Sequence, residues 1–470
     1  MIRAYGLRPQ QRRHPLDDPD TVLVGAATVL AVWGHSVQCV AAAAIVVAVI
    51  RHRLLVVVAC IVLGAIGAWR SDSSWAGAQP RHLGDFAGWA TVVGDPIPLG
   101  SGLRVTFEVE GERFDAWAYG SPRRRLIDRQ VGERVYLEGE RRGLTVHARR
   151  AQVRHVVGRI ELRAVGDWHE GSRLSTTSSR VRAALRSAAE RTMQGDDAAL
   201  FTGLVIGDDS RQSSQMVEAF RASGLSHLTA VSGENVAFVV AAASPVLRRM
   251  RPWWRWASTL AVIGWFMMLT RFEPSVMRAG VMAIVASTAY VGGREVSAIR
   301  ALSLTVSLLA IVDPMLVWSV GFWLSTGATA GVCLAGPWFA TALPGPDWLR
   351  LPLSVTLGAQ LGVALPSWLV FHRLPLVALP ANLLAVPVAG FVMLCGLPCG
   401  MLAAALPALA PVAMVPCVLA TRWVAVVGSV FAAVEPPSHY ALLGWVVIVG
   451  GVLTRLVRHR WRRSAERVPI

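Results

Sequence analysis

The sequence predicts a polytopic α-helical membrane protein of about 10–12 spans with one small all-β domain inserted near its N-terminal end. Three observations carry that prediction. Of the 470 residues 54% are hydrophobic and the mean hydropathy is +0.47, too apolar for a soluble globular chain. Apolar runs recur near 21–34, 36–50, 54–69, 228–247, 256–270, 275–291, 298–312, 315–335, 351–371, 376–405, 408–434 and 439–457. One interior stretch, 71–172, instead changes to strand period.

Residues 1–20 are polar, carry Arg3, Arg8, Arg12 and Arg13, and are expected to form a cytoplasmic arm. The N-terminal spans of 21–70 end near Trp69 and Trp75, where an aromatic belt is expected. Their odd number delivers residues 71–172 to the outside. The first apolar run lacks an Ala-x-Ala exit, so no cleavable leader is expected. Within 71–172, Leu103 to Glu110 alternates strictly, as do Phe114 to Tyr119 less cleanly and Arg134 to Glu138. With Ala90–Val93 and Leu144–Ala148 this predicts about five short strands and a small β-barrel. Charge within the domain is polarised: 71–120 holds 3 arginines against 7 acids, and 121–163 holds 12 against 5. Arg123, Arg124 and Arg125 are candidates for phosphate contact; the alternative is a solvated loop after Ser121-Pro122. Trp117 and Tyr119 are read either as base-stacking rings or, preferably, as buried barrel aromatics. Residues 173–227 read as amphipathic interfacial helices, with Val181, Leu185, Ala188 and Thr192 on one face; a tether from barrel to membrane is the other reading. Residues 228–457 form the apolar core and 458–470 a basic tail.

The net charge of +16 invites a nucleic-acid reading, but its distribution follows the positive-inside rule. With a cytoplasmic N-terminus, Arg51, Arg53, Arg248, Arg249, Arg251, Arg255, Arg294, Arg350 and the tail lie inside, and the outer loops hold little beyond Arg271 and Arg373. Every basic residue of the Lys+Arg set is arginine, a bias that fits a GC-rich genome. Cys39, Cys60, Cys333, Cys395, Cys399 and Cys417 all fall in apolar runs and read as packing residues, so no metal site and no cofactor is expected.

The chain is organised around Thr202 to Phe238, where a polar region gives way to the apolar half. Gly207-Asp208 precedes an amphipathic segment; then come Ser223-Gly224-Leu225-Ser226-His227-Leu228 and Val231-Ser232-Gly233. Downstream stand Pro274-Ser275-Val276-Met277-Arg278-Ala279, Asp313-Pro314, Gly321-Phe322-Trp323-Leu324-Ser325, Gln360 with Pro366, and Pro380 to Pro387 around Asn382. This ordered series resembles the ComEC/Rec2 family of competence proteins over roughly residues 20–450. One departure is that Glu234-Asn235 follows Gly233 where many members carry Leu-His, so that histidine's role is not carried over.

The resemblance implies an inner-membrane channel that passes single-stranded DNA inward during natural transformation, with an OB-like outer domain. It also implies partners: single-stranded DNA, the lipid bilayer, a periplasmic DNA receptor, a cytosolic translocase and a separate nuclease. Several members add a metallo-β-lactamase-like domain; its His-x-His-x-Asp motif does not occur in this sequence, and a form without that domain is expected. Polar residues beside glycine or proline in apolar runs mark the expected transport path: His227, Ser232, Gly233, Asn235, Arg278, Asp313, Ser325, Gln360, Asn382 and Pro387. For Arg278 a structural ion pair with Glu273 or Asp313 is the competing reading. No catalytic residue is assigned. The alternatives are a nuclease acting through the outer domain, with His82, His147, His155 and His169 scattered in it, or a transporter of another polyanion.

Overall fold

The computed structural model describes residues 18–34, 54–145, 148–229, 232–437 and separate positions between 440 and 454. The expected arm, the run at 36–50 with Cys39, most of the run at 439–457 and the tail lie outside the described residues. Two apolar helices open the fold, α1 (Asp18–Gly34) and α2 (Leu54–Ala76), and they pack together through Val24, Ala27, Val56 and Cys60.

The sheet domain follows, with strands β1 (Gly84–Val92), β2 (Ile97–Leu99), β3 (Gly102–Val109) and β4 (Glu112–Ala118). A short helix α3 (Gly120–Leu126), β5 (Arg134–Gly143), a single turn α4 (Arg149–Gln152) and β6 (Val156–His169) complete it. The strand order is β1-β5-β6-β4-β3-β2, and β1 also pairs with β3 through Thr91 and Val92, which closes the sheet on itself. All pairings are antiparallel except β4 with β6. The alternation seen in sequence is what fills this barrel. Leu103, Val105, Phe107 and Val109 point inward from β3, meet Phe114 and Ala116 from β4 and Leu137 and Ile160 from β5 and β6, and Leu126 of α3 joins the same core. Glu110 and Gly111, both at positive φ, make the two-residue turn between β3 and β4.

Two strand expectations are corrected. No strand is present at Leu144, Thr145 or Ala148; β5 ends at Gly143 and the last strand is β6, after the α4 crossover. Closure requires a partner lying parallel to β4, and only a crossover delivers one. Trp117 and Tyr119 are not core aromatics: they are 42% and 56% exposed.

The helical half contains α5 (Arg173–Thr192), α6 (Gly195–Ile206), α7 (Ser214–Ala222), α8 (Ser226–Thr229) and α9 (Glu234–Leu247). It continues with α10 (Pro252–Leu269), α11 (Pro274–Val291), α12 (Ala298–Val312), α13 (Val320–Leu334) and α14 (Gly336–Ala342), then α15 (Asp347–Phe371), α16 (Ala378–Ala405) and α17 (Ala410–Val434). Starts and stops follow local chemistry. Ser172, Ser213 and Ser297 cap α5, α7 and α12 by accepting from the backbone N–H three residues on, and Gly207 at φ +69 ends α6. Among the described residues five helices are long and apolar enough to cross a membrane, α2, α11, α15, α16 and α17, the last with its Pro407–Leu409 lead-in. Glu234–Leu247, Ala298–Val312 and Val320–Leu334 are shorter apolar helices. The architecture is that of a multi-pass membrane protein carrying a sheet domain between its second and later helices.

The interior of the helical half joins Leu185, Phe201, Leu204, Phe220, Val236, Phe266, Ala385, Ala389, Met414 and Val424. Helix α5 therefore packs into the protein: Ser178, Arg182, Leu185 and Ala189 are buried along it, and Leu185 fills the space above Gly400 of α16. Helices α13 and α15 meet backbone to backbone, since a Cβ added at Gly331 would lie 2.0 Å from the Gly358 carbonyl oxygen and one at Gly362 1.9 Å from that of Gly327.

Candidate functional site

The first site sits where α9 begins. The Ser232 hydroxyl accepts from the Glu234 N–H at 3.2 Å and donates to Asn235 Oδ1 at 3.3 Å. Asn235 Nδ2 donates to the Leu204 carbonyl of α6 at 2.7 Å, so the head of α9 is tied to α6. Gly233 is needed for close approach: its backbone is helical, but an added Cβ would lie 2.8 Å from Arg278 Nη2 and 2.9 Å from Ala279 Cβ. Arg278, on the first turn and a half of α11, is only 7% exposed. Its Nε donates to Ser325 Oγ of α13 at 2.8 Å, and its Nη1 approaches Met282 Sδ at 3.1 Å.

Among the described residues no carboxylate lies within ion-pair reach of Arg278. Glu273 makes no side-chain cap on α11, and Asp313 is engaged elsewhere: Oδ1 accepts from the Met315 N–H at 3.0 Å and Oδ2 lies 2.9 Å from His155 Nε2. The ion-pair reading of Arg278 thus finds no partner here. A cation whose partners among the described residues are a hydroxyl and a thioether is costly in an apolar bundle, at roughly 2.5–3.5 kcal/mol near a bilayer centre on insertion scales, unless water or an anion reaches it.

Of the ten path residues, Ser232, Gly233, Asn235, Arg278 and Ser325 form one cluster. Gln360 is half-buried on α15, the helix sealed by its glycines onto the Ser325 helix, and its amide makes no hydrogen bond among the described residues. Asn382 is buried but spends its Nδ2 on the Ala378 carbonyl one turn back, at 2.7 Å. His227 and Pro387 are exposed on α8 and α16. Among the described residues no hydrogen bond or ion pair joins these four to the cluster, and Asp313 belongs to the seam with the sheet domain. Of the arginine triplet, Arg124 and Arg125 are exposed on the last turn of α3, Arg125 Nη1 donates to the Val165 carbonyl at 2.5 Å, and Arg123 Nε is buried without a partner. The triplet is therefore helical, not a solvated loop.

A second constellation escaped the sequence reading. Arg182, 4% exposed, donates through Nη1 to the carbonyls of Ile206 at 2.8 Å and Leu269 at 2.9 Å, and through Nη2 to Asp95 Oδ2 at 2.8 Å. Asp95 also takes Arg271, at 3.3 Å. Asp208, 2% exposed, pairs with Arg186 and lies 3.8 Å from Arg182, and the Ser210 hydroxyl donates to it at 2.6 Å. Burial alone would push the Asp208 carboxyl up, but the two guanidiniums and Ser210 outweigh it and hold the carboxyl at about 2. This junction binds the loop after β1 to the ends of α6 and α10. A second contact lies at α4, where Arg149 sits 4.0 Å over the Trp318 ring and 5.3 Å from Trp75. The available signal was the four-residue spacing of Arg182 and Arg186, which puts both on one helix face opposite the Gly207-Asp208 element.

The geometry is that of a multi-pass membrane protein with a buried arginine that, among the described residues, has no carboxylate partner where three apolar helices meet. The competence protein family matches residues 204–461, and the chain belongs to that family. It is 29% identical over 216 residues to ComE operon protein 3 of Bacillus subtilis, covering 45% of this chain and 27% of that protein. It is 27% identical over 373 residues to competence protein ComA of Neisseria gonorrhoeae, covering 70% of this chain and 50% of the relative. A third relative, the uncharacterized protein YcaI of Escherichia coli, is 26% identical over 212 residues, 41% of this chain and 28% of its own. The chain thus spans at most half the length of these relatives. No solved structure matches. The matched region holds the Arg278 cluster and Asp208; Asp95, Arg182 and Arg186 precede it.

Proposed function

We propose that the chain is an inner-membrane channel that passes single-stranded DNA toward the cytoplasm during natural transformation. The observation that carries this reading is Arg278: buried, without a carboxylate partner among the described residues, and enclosed by Ser325 and the head of α9. Such a centre supplies a positive field and hydroxyl groups at one constriction. A strand bearing one negative charge per nucleotide is drawn in by the field, and a single uncompensated cation does not hold it fast. The family membership supports DNA as the cargo.

In this reading the sheet domain is an OB-like barrel outside the membrane. Its connectivity supports that: a closed circuit of β1, β3, β4, β6 and β5 with one parallel pair and a helix before β5. Partners in this account are a periplasmic DNA receptor, a cytosolic translocase and a separate nuclease. The test is Arg278→Gln in a transformable host. DNA entry is expected to fall at least about tenfold, the equivalent of roughly 1.4 kcal/mol, with membrane level and surface-bound DNA unchanged. Normal transformation would overturn the reading, and loss of the protein from the membrane would make Arg278 a folding residue.

A further inference from the structure

A cleft of about 640 Å³ opens beside the arginine junction, between the sheet domain and α5. Five arginines line it, Arg129, Arg182, Arg186, Arg211 and Arg271, against two carboxylates, Asp95 and Asp128. Each of these arginines has a carboxylate nearby: Asp95 takes Arg182 and Arg271, Asp208 takes Arg186, Glu190 takes Arg211 and Glu133 lies beside Arg129. What stays open is specific. Arg182 is almost wholly buried and its Nε has no partner among the described residues; nor do the buried Nε and Nη1 of Arg129 make a hydrogen bond there, with Glu133 3.4 Å from Nη1. Asp95 holds Arg271 at 3.3 and 3.5 Å, longer than its 2.8 Å bond to Arg182. The size suits one or two nucleotide units, within the roughly 300–1,000 Å³ of small-ligand sites.

The second observation is aromatic. Arg129 lies 4.0 Å over the ring of Trp168, which is 46% exposed. The next residue, His169, points to the other face of β6, where it stacks on Trp89 at 4.5 Å and Trp89 meets Tyr136 edge-on at 5.6 Å, so Trp168 alone borders the cleft. Trp89 is 37% exposed, and Arg134 lies 5.9 Å from its ring. An arginine-lined cleft with the accessible Trp168 ring at its Arg129 edge combines phosphate contacts with a stacking surface. That pairing suits unpaired nucleotides and does not suit a duplex, whose bases are already stacked.

We infer that this cleft, with Trp168 beside it, binds single-stranded nucleic acid, arginines to the phosphodiester backbone and the Trp168 ring to a base. The inference rests on the reading of the chain as a DNA channel, and it locates the outer binding site away from the Arg123–Arg125 triplet. Asp128 is exposed in the lining and makes no ion pair among the described residues, so it opposes the ligand's charge directly.

The test uses the full chain in nanodiscs and a fluorescein-labelled oligothymidylate of about ten nucleotides, within the usual span of about 4–16 for one OB-fold. Arg211→Gln should weaken binding several-fold and flatten the slope of log affinity against log salt by about 0.7. Trp168→Ala should weaken it with the slope unchanged. Asp128→Asn should tighten it, a gain that misfolding cannot produce. Binding by the natural chain with all three variants indistinguishable from it would overturn the proposal, and the channel reading would then still stand or fall on Arg278→Gln. Loss of association with phosphatidylglycerol vesicles in Arg211→Gln, without change in oligonucleotide affinity, would overturn it in favour of a lipid headgroup site. No binding by the natural chain at about 50 mM salt, where phosphate contacts are strong, would overturn it outright.

Discussion

Asp208 is ionised at every physiological pH because two arginines and a serine hydroxyl surround it in a buried place. Its folded-state value of about 2 lies below the ordinary 3.8, so its stabilisation is fully present above pH 3.8 and is lost as pH falls toward 2. That share is on the order of 2 kcal/mol. Asp208→Asn should lower the thermal midpoint at neutral pH and should lose the part of the acid sensitivity between pH 4 and 2 that the natural chain shows in detergent-solubilised unfolding scans. An unchanged midpoint would mean that Arg186 and Arg182 are satisfied without it. Gly233→Ala should push on the Arg278 guanidinium, since the new methyl meets Nη2 at 2.8 Å. DNA entry should drop several-fold while the membrane level holds; equal entry would show that the α9 head has room to spare. At this scale Arg278, Ser232, Gly233, Asn235 and Ser325 were legible, because a polar group beside glycine in an apolar run is conspicuous whatever it touches. Arg182 was not legible, because Asp95 is 87 residues from it and the Leu269 carbonyl is another 87.

Elements differ in how much of their placement the sequence carries. The strict alternation of β3 and the β3–β4 turn were readable, since period and turn chemistry are local. The last strand was misplaced because Leu144–Ala148 and Val156–Leu162 both alternate, and period alone does not say which one returns beside β4. For α5 the apolar face was readable and its partner was not: an amphipathic stripe packs equally well on headgroups or on α16. The α13–α15 contact offers a direct test of an element. Gly331→Ala should destabilise the bundle by roughly 1–3 kcal/mol through overpacking, seen as a lower thermal midpoint. Gly264→Ala on α10, where nothing lies within 4 Å of the added methyl, should be neutral or slightly stabilising. Equal effects from both would show that α13 and α15 are not in backbone contact.

At the scale of the molecule, contacts among the described residues that hold the sheet domain to the helical half include Asp95 on Arg182 and Arg271, Ser175 and Ser179 on the Val131 carbonyl, and the α4 region on Trp318 and Asp313. The arginine asymmetry of the sequence predicts that this domain lies outside. Cysteine at Ser101 should then be labelled by an impermeant thiol reagent in intact cells, and one at Ser464, outside the described residues, should not; the reverse pattern would invert the account. A strand that crosses at the Arg278 cluster requires that cluster to line a water-filled path. The most direct measurement replaces the six native cysteines with alanine and places one cysteine at Ser325, or at Leu419 on the outward face of α17 as a control. A charged methanethiosulfonate is then applied to the membrane-embedded protein. Ser325→Cys should react, single-stranded oligonucleotide should slow the reaction, and Leu419→Cys should stay inert. A Ser325→Cys thiol as unreactive as the Leu419 control would place Arg278 in a dry bundle and contradict the channel.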